Sequence, residues 1–158
     1  MSKALVVYHS ETGHTKKMAI AIGEGIKNAG LDVEVKSVDN TSLDDLITAD
    51  AIILGSPTYF STVSTKMKAF IDRSTQIWPN KPGELKDKIG AAFTSYAGVG
   101  GGSETTLLCL IQAMLWHGMV IVGHQSGFSG AVSIEAPDEE CIAGCREFGK
   151  RIASFVKR

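Results

Sequence analysis

The feature that most constrains this chain is a series of short apolar runs that alternate with helical patterns. Three runs, at residues 4–8, 51–55 and 89–94, are apolar at consecutive positions, so strands formed there are buried on both faces. Two further strands are predicted at residues 32–38 and 119–123. Such strands, separated by helices, are typical of a parallel sheet covered on both sides. The sequence therefore predicts an α/β fold with five strands, in one domain over residues 1–158.

The predicted helices separate the strands, and the loops that join strands to helices contain the predicted binding site. Helices are predicted at residues 15–28, 65–75, 104–117 and 137–158, and the last ends in Lys157 and Arg158. In open parallel sheets, ligands bind beyond the carboxyl ends of the strands, where the strand order reverses. The loops after the first, third and fourth strands are therefore the predicted site.

Composition excludes some classes of partner. The formal net charge is −1 and the sequence pI about 6.4, so no field of one sign is available to attract nucleic acid or an anionic membrane. No apolar stretch approaches the length of a membrane span, and the N-terminal apolar run is too short for a signal peptide. A cytoplasmic protein that binds neither nucleic acid nor membrane is expected.

The three cysteines, Cys109, Cys141 and Cys145, lie within apolar helical patterns. The segment CIAGC could indicate redox chemistry or a metal site. However, Cys141 and Cys145 continue into Phe148 and Ile152 at steps of three and four residues, as in one buried helical stripe. Buried, unreactive thiols are the preferred interpretation, and no metal site is predicted.

The first loop has the chemistry of a phosphate site. It comprises Ser10, Glu11, Thr12, Gly13, His14 and Thr15, and leads into a helix. Backbone N–H groups at a helix start, together with hydroxyl donors, suit a phosphate. The Gly-Lys-Ser/Thr ending of a nucleoside triphosphate loop and the spaced glycines of a dinucleotide fingerprint are both missing. A bound monophosphate is one interpretation; a helix capped by Thr12 or Thr15 is the other.

The other two loops offer aromatic rings and backbone amides. The second contains Pro57, Thr58, Tyr59, Phe60 and Ser61, and the third contains Thr94, Ser95, Tyr96, Ala97, Gly98, Gly100 and Gly101. Considered alone, Tyr59 and Phe60 could simply pack against the protein, and the glycine-rich third loop could be a flexible connection. Together the three loops would form a phosphate seat, an aromatic wall and a rim of amides. A flat heteroaromatic ligand with a phosphorylated tail matches such a site.

Two other families with this outline lack their essential residues here. A response-regulator receiver needs clustered aspartates after the first and third strands, where this chain reads HSE and GSP. A small tyrosine phosphatase needs a nucleophilic cysteine in the first loop, which contains none. Neither activity is expected.

Several segments resemble a known family. SETGHT resembles the S/T-x-T-G-x-T phosphate loop of flavodoxins, which implies a three-layer sandwich with strand order 2-1-3-4-5. GSPTYFSTVSTKMKAFID, FTSYAGVGGGSETTL and LWHGMVIVG resemble segments of the WrbA-type NAD(P)H:quinone oxidoreductases, multimeric relatives of flavodoxin. The chain is short where those enzymes carry inserted segments, between Val38 and Ala51 and between Gly123 and Pro137.

The resemblance implies a flavin mononucleotide (FMN) site. The first loop would hold the FMN phosphate, the second would line the ring with Phe60 at the family's aromatic position, and the third would meet the polar edge of the ring. His117 matches a histidine beside the open flavin face and is the candidate catalytic residue. Trp78 matches a tryptophan that closes the pocket from a neighbouring subunit, which implies a dimer or tetramer. On spacing alone, His117 is a histidine at a helix C-terminus and Trp78 a loop anchor.

Two functions follow from the resemblance. The first is an enzyme that passes two electrons from NAD(P)H through FMN to a quinone. The second is a flavodoxin-type carrier that shuttles single electrons between redox partner proteins. Such carriers commonly have a strongly acidic face, whereas here 16 Lys and Arg nearly cancel 17 Asp and Glu. The charge balance favours the enzyme, and the short chain favours the carrier.

Overall fold

The fold was obtained as a computed structural model, which describes residues 1–156. The strands in this part of the chain are β1 Lys3–Tyr8, β2 Asp32–Ser37, β3 Ala51–Tyr59, β4 Thr62–Val63, β5 Ile89–Tyr96, β6 Val120–Ile121 and β7 Ala131–Ile134. The helices are α1 His14–Asn28, α2 Leu43–Thr48, α3 Thr65–Ser74, α4 Ile77–Asn80, α5 Ser103–Trp116 and α6 Glu139–Val156. The predicted helix end at Lys157 and Arg158 lies outside the described residues.

The strands form one sheet with the expected doubly wound topology. Its main path runs β2-β1-β3-β5-β6 with parallel neighbours, which confirms the flavodoxin-like fold class. The expectation of five strands is wrong in detail, since residues 1–156 contain seven. The fifth position is shared by β6, which pairs with the start of β5, and β7, which pairs with its end. The additional β4 is a short antiparallel partner of β3.

The division of the fifth strand position between β6 and β7 has a local cause. The predicted strand at residues 119–123 accounts only for β6, because the glycine- and serine-rich segment that follows leaves the sheet. The chain returns at Gly130, where a Cβ atom would lie 2.1 Å from the carbonyl oxygen of Ala92. Only glycine allows that approach, so the strand resumes directly after it.

Each face of the sheet carries its own core. Along β1, Ala4 and Val6 pack on the side of α1 and α6, while Leu5 and Val7 pack on the side of α2, α3 and α5. This alternation confirms the prediction of strands buried on both faces. Helix α2 was not predicted; it begins with a capping box in which Ser42 and Asp45 bond each other's backbone N–H groups.

Helices α1 and α6 approach each other through two glycines. A Cβ atom on Gly25 would lie 2.0 Å from the carbonyl oxygen of Arg146, and one on Gly149 would lie 2.1 Å from the carbonyl oxygen of Ile22. Both obstacles are backbone atoms, which cannot move aside as a side chain can. The glycines therefore fix how closely this helix pair lies over the sheet.

Candidate functional site

The first loop follows β1 at the carboxyl edge of the sheet. Gly13 has a left-handed backbone (φ 93°), and its N–H donates to Ser10 Oγ over 3.1 Å. Within the described residues, no side chain caps the start of α1, whose first turn reads His-Thr-Lys-Lys. The backbone N–H groups of this turn and the positive end of the helix dipole therefore face outward, as an anion site requires. The alternative in which Thr12 or Thr15 caps the helix is wrong.

His9 ties this loop to the neighbouring segment. The imidazole is only 6% exposed, with Nδ1 2.7 Å from Ser64 Oγ and Nε2 2.9 Å from Glu11 Oε1. Ser64 Oγ also accepts from the N–H of Met67 at the start of α3. One side chain thus fixes the position of Glu11 against the segment between β4 and α3. His9 was not predicted as a site residue, since spacing alone does not distinguish it from a residue that ends a strand.

The second loop is a tight hairpin between β3 and β4. Thr58 pairs with Val63 and Tyr59 with Thr62, which leaves Phe60 and Ser61 as the two turn residues. Both have positive φ, 47° and 64°, as a type I′ turn requires. Such turns are normally built from Asn and Gly, because a left-handed backbone costs a residue with a Cβ roughly 1–2 kcal/mol. The hairpin holds the Phe60 ring fully exposed (104%) at its tip.

The third loop follows β5 and lies against the hairpin. Gly100 and Gly102 have φ of 83°, and a Cβ on Gly102 would lie 2.4 Å from Cβ of Ser61. At Gly98 and Gly100, a Cβ would meet no other described atom within 4 Å, so the backbone there is open to a ligand. The N–H of Gly101 donates to the carbonyl of Gly98, which closes a turn within the loop. Glycine is therefore needed here both for conformation and for close packing.

Buried hydroxyl groups join the three loops. Thr15 Oγ1 lies 2.8 Å from Ser95 Oγ, which links the first loop to the end of β5. Thr58 Oγ1 lies 2.8 Å from both Thr94 Oγ1 and Thr106 Oγ1, which links β3, β5 and α5. Burial, and secondarily the carboxylate of Glu11 in the first loop, raises the pKa of the Tyr59 phenol. The structure therefore brings the predicted residues of all three loops together, with several hydroxyls already engaged in the scaffold.

The structure does not bring His117 and Trp78 to these loops. Helix α5 starts beside the third loop and runs back along the sheet, so His117 at its C-terminal end lies about 20 Å away. There the carbonyl of Gly118 accepts from the N–H of Asp87, just before β5 begins. Trp78 donates from Nε1 to Nδ1 of His117 over 3.1 Å. This pair thus occupies the opposite edge of the sheet from the three loops of the same chain.

Two further features concern residues 1–156. No group of three or more His, Cys, Asp or Glu side chains in this part of the chain has an arrangement that could hold a metal ion. Of its helices, none is both long enough and apolar enough to cross a membrane.

Comparison with known proteins gives the family. A model of the NADPH-dependent FMN reductase family matches residues 40–133. An NAD(P)H dehydrogenase (quinone) from Sinorhizobium fredii is 39% identical over 155 residues, covering 85% of this chain and 77% of its own. Another from Azorhizobium caulinodans is 37% identical and covers 100% of this chain and 98% of its own. The chain belongs to this family. The resemblance to WrbA-type quinone oxidoreductases is thereby confirmed.

Solved structures of a flavodoxin and of a WrbA-like protein resemble this chain over its whole length. A flavodoxin, WrbA-like protein from Agrobacterium tumefaciens has a TM-score of 0.87 at 31% identity and covers 99% of this chain and 98% of its own. A flavodoxin from the domain Archaea has a TM-score of 0.82 at 33% identity, with 99% of both chains covered. Both align from end to end with this chain.

The family relatives are longer internally. The alignment with the Azorhizobium caulinodans enzyme spans 198 positions, whereas this chain has 158 residues, which leaves 40 positions with no counterpart here. Because the alignment covers both chains almost completely, the difference lies within the fold and not in an added terminal domain. The chain is therefore a short member that lacks segments inserted in such relatives.

Proposed function

We propose that this chain binds FMN at the three loops and transfers two electrons from NAD(P)H to a quinone. The observation that carries the proposal is the uncapped start of α1, enclosed by an aromatic hairpin and a glycine-rich loop, in a chain of this family. Bound FMN supplies the redox chemistry, because its ring accepts a hydride and passes electrons on.

The residues present fit the phosphate of FMN. The first turn of α1 offers backbone N–H groups and two lysines without an acidic residue, so a dianion gains from both the dipole and the local charge. Ser10 and Thr12 add hydroxyl groups next to Gly13. The one carboxylate of the loop, on Glu11, is held by His9. We therefore assign residues 10–15 to the phosphate.

The ring of FMN fits between the second and third loops. Tyr59 and Phe60 present aromatic surface, and the backbone at Gly98 and Gly100 is open to hydrogen bonds with the polar ring edge. The role of Thr58, Thr94 and Ser95 in this proposal is to hold the loops in place, because their hydroxyls bond to one another, to Thr106 and to Thr15. Preorganised loops of this kind lower the cost of binding a rigid ligand.

His117 and Trp78 enter the proposal only through a second copy of the chain. Since both lie at the opposite edge of the sheet, they can reach a flavin only if a neighbouring subunit docks with that edge over the loops. We infer a homo-oligomer in which Trp78 covers the neighbour's flavin and His117 lies beside its reacting face. A monomer would contain neither contact.

A direct test is anaerobic turnover of the FMN-loaded protein with NADH or NADPH and 1,4-benzoquinone. Consumption of one nicotinamide per quinone, dependent on added FMN, is the expected result. If the fully FMN-loaded protein shows no quinone-dependent oxidation of either nicotinamide, the enzymatic assignment is wrong.

The second candidate is an electron carrier, and the end-to-end match with solved flavodoxins favours it. The two candidates differ in how the bound flavin takes up electrons. Reduction with a chemical titrant in a single two-electron step supports the enzyme. Two well-separated one-electron steps, together with slow oxidation of nicotinamide, support the carrier.

A further inference from the structure

A second cavity lies beside the proposed flavin site. It has a volume of about 620 Å³, within the range of small-molecule sites, and is enclosed by the start of α5, the segment between β6 and β7, β7 itself and the start of α6. Among the described residues, its lining shares only Tyr96 with the proposed FMN site. The cavity is therefore a separate site whose wall includes the end of the strand that carries the third loop.

Two thiols form part of the cavity wall. Cys145 is buried, as the helical stripe predicted, but Cys141 in the first turn of α6 is only half-buried, so the expectation of a buried thiol is wrong for Cys141. The neighbouring thiol of Cys145 lowers the pKa of Cys141, and Cys141 in turn raises the pKa of Cys145. Burial and the carboxylate of Asp138 oppose the effect on Cys141, whereas the hydroxyl of Ser133 adds to it. Cys141 lines the cavity, is more exposed than Cys145 and has the lower pKa, so it is the nucleophilic member of the pair.

The two cysteines are poorly placed to oxidise to a disulfide with each other. They are one helical turn apart, so their Cβ atoms are separated by about 5–6 Å, and a disulfide needs about 3.5–4.5 Å. Closing that bond would unwind the start of α6, which Asp138 caps by accepting from the N–H of Cys141 over 2.8 Å. The reactivity of Cys141 is therefore directed at a molecule that enters the cavity.

The lining indicates the chemical class of that molecule. Leu107, Phe128, Val132 and Ile134 provide apolar walls, while the carboxylates of Glu104, Asp138 and Glu140 also border the cavity. Three carboxylates disfavour an anionic reagent such as glutathione disulfide. A neutral, flat molecule with an electrophilic carbon fits both the walls and the thiol.

We propose that Cys141 is a modification site for neutral quinones that enter this cavity. The Cys141 thiolate attacks a ring carbon β to a quinone carbonyl, so a C–S bond forms and the C=C electron pair moves onto the carbonyl oxygen. That oxygen takes up a proton from solvent, and the proton on the substituted carbon moves by way of solvent to the second oxygen. The product is a thioether of the hydroquinone, with no external oxidant or reductant. This reaction is independent of the proposed electron transfer at FMN.

Modification of Cys141 can alter the proposed flavin site through β7, which contacts Cys141 and pairs with β5. Sγ of Cys141 lies 3.8 Å from the carbonyl oxygen of Val132 in β7, so a ring attached there presses on this strand. Ser133 and Ile134 of β7 pair with Ser95 and Tyr96 of β5, and the N–H of Glu135 donates to the carbonyl of Tyr96 over 2.7 Å. Modification is expected to shift the end of β5 and to speed the release of FMN.

The test exposes FMN-loaded protein, without reductant, to an equimolar amount of 1,4-benzoquinone and determines intact and peptide masses. The expected result is one benzoquinone per chain on the peptide that contains Cys141, with modification of Cys141 about tenfold or more faster than that of Cys109. Cys109 is a matched internal control, since it is also half-buried but burial raises its pKa. FMN fluorescence in the same samples reports release.

Three variants test the origin of the selectivity. Cys141→Ser should lose the adduct and Cys109→Ser should retain it. Cys145→Ala should react more slowly at Cys141, because it lacks the neighbouring thiol that lowers the pKa of Cys141. In urea, the wild-type cysteines should react at similar rates. Equal labelling of Cys109 and Cys141 in the folded protein, or an adduct that persists in Cys141→Ser, would overturn the proposal. Selective modification by glutathione disulfide instead of benzoquinone would show that the assigned ligand class is wrong.

Discussion

Trp78 and His117 form a hydrogen-bonded pair whose direction is fixed. The indole Nε1–H donates to Nδ1 of His117 over 3.1 Å, so the imidazole proton lies on Nε2, 2.9 Å from Ser74 Oγ. The Ser74 hydroxyl in turn donates to the carbonyl of Ile71. Every donor in this series has an acceptor while His117 is neutral. Protonation at Nδ1 would place two N–H groups against each other.

Stability is expected to depend on the protonation of His117. Burial lowers its pKa in the folded protein, so the unfolded chain binds the proton more readily. The stability that neutral His117 contributes is fully present above its pKa in the unfolded chain, about 6.5. It is lost as the pH falls through its lower pKa in the folded protein. Urea unfolding of wild type and His117→Asn between about pH 8 and about pH 5 measures this effect, since wild type should lose more stability on acidification. An equal loss in both proteins would refute this prediction.

Replacing Trp78 should affect both assembly and turnover. If its indole covers a neighbouring flavin, Trp78→Ala should lower quinone turnover about twofold to tenfold, as expected for one aromatic contact of about 0.5–1.5 kcal/mol. It should also shift the sedimentation mass toward the monomer while leaving the phosphate site at residues 10–15 intact. Trp116→Ala is a comparison that removes another exposed indole, so a larger loss of turnover in Trp78→Ala would be specific to Trp78. A wild-type monomer with full turnover would exclude the shared pocket.

The phosphate seat predicts discrimination between FMN and riboflavin. Thr12→Ala removes a hydroxyl donor to a dianion, which is expected to weaken FMN binding by about 1.5–3 kcal/mol. Riboflavin lacks the phosphate, so its affinity should not change. Fluorescence titration of the apoprotein with both flavins gives the two affinities. If wild type binds FMN and riboflavin equally tightly, residues 10–15 do not bind phosphate.

The sequence predicted the layers of this fold better than the position of every site residue. The apolar runs at β1, β3 and β5 could be interpreted because strands buried on both faces have an unbroken pattern. The hairpin around Phe60 and Ser61 could not, because its turn lacks the Asn and Gly that mark a type I′ turn. In that hairpin, tertiary contacts impose a conformation that local preference opposes.

The position of His117 was partly open to prediction. A helix that begins at the third loop and has about 14 residues must end about 20 Å away, so His117 could not share a pocket with that loop in one chain. The resemblance implies that Trp78 closes the pocket of a neighbouring subunit, but for His117 it implies only a place beside the open flavin face and does not say which subunit holds that flavin. That information depends on the assembly and is not encoded in the spacing of one chain.

Phe60 and Ser61 at the hairpin tip are expected to lower the stability of the fold while Phe60 promotes flavin binding. Ser61→Gly relieves one left-handed backbone without removing the aromatic ring, so it should stabilise the fold by roughly 1 kcal/mol and retain FMN affinity. Phe60→Asn should also stabilise the turn, but it should weaken FMN binding because the exposed ring is lost. Urea unfolding of the apoprotein and FMN titration separate these effects. Undiminished FMN affinity in Phe60→Asn would show that the ring does not contact the flavin.

The contact between α1 and α6 allows a matched test of two helical glycines. At Gly25 an added methyl group would meet the backbone of Arg146 at 2.0 Å, so Gly25→Ala must push α6 away from α1 and should destabilise the fold by about 1–3 kcal/mol. At Gly144, in the middle of α6, a Cβ would meet no other described atom within 4 Å. Gly144→Ala should therefore stabilise the helix by about 0.5–1 kcal/mol through the lower entropy of its unfolded chain. Urea unfolding of both variants measures the difference.

Helix propensity favours alanine at both positions. A lower free energy of unfolding in Gly25→Ala alone would therefore isolate the steric cost of separating the helices. Equal changes in both variants would show that α6 can move away from α1 without loss of stability.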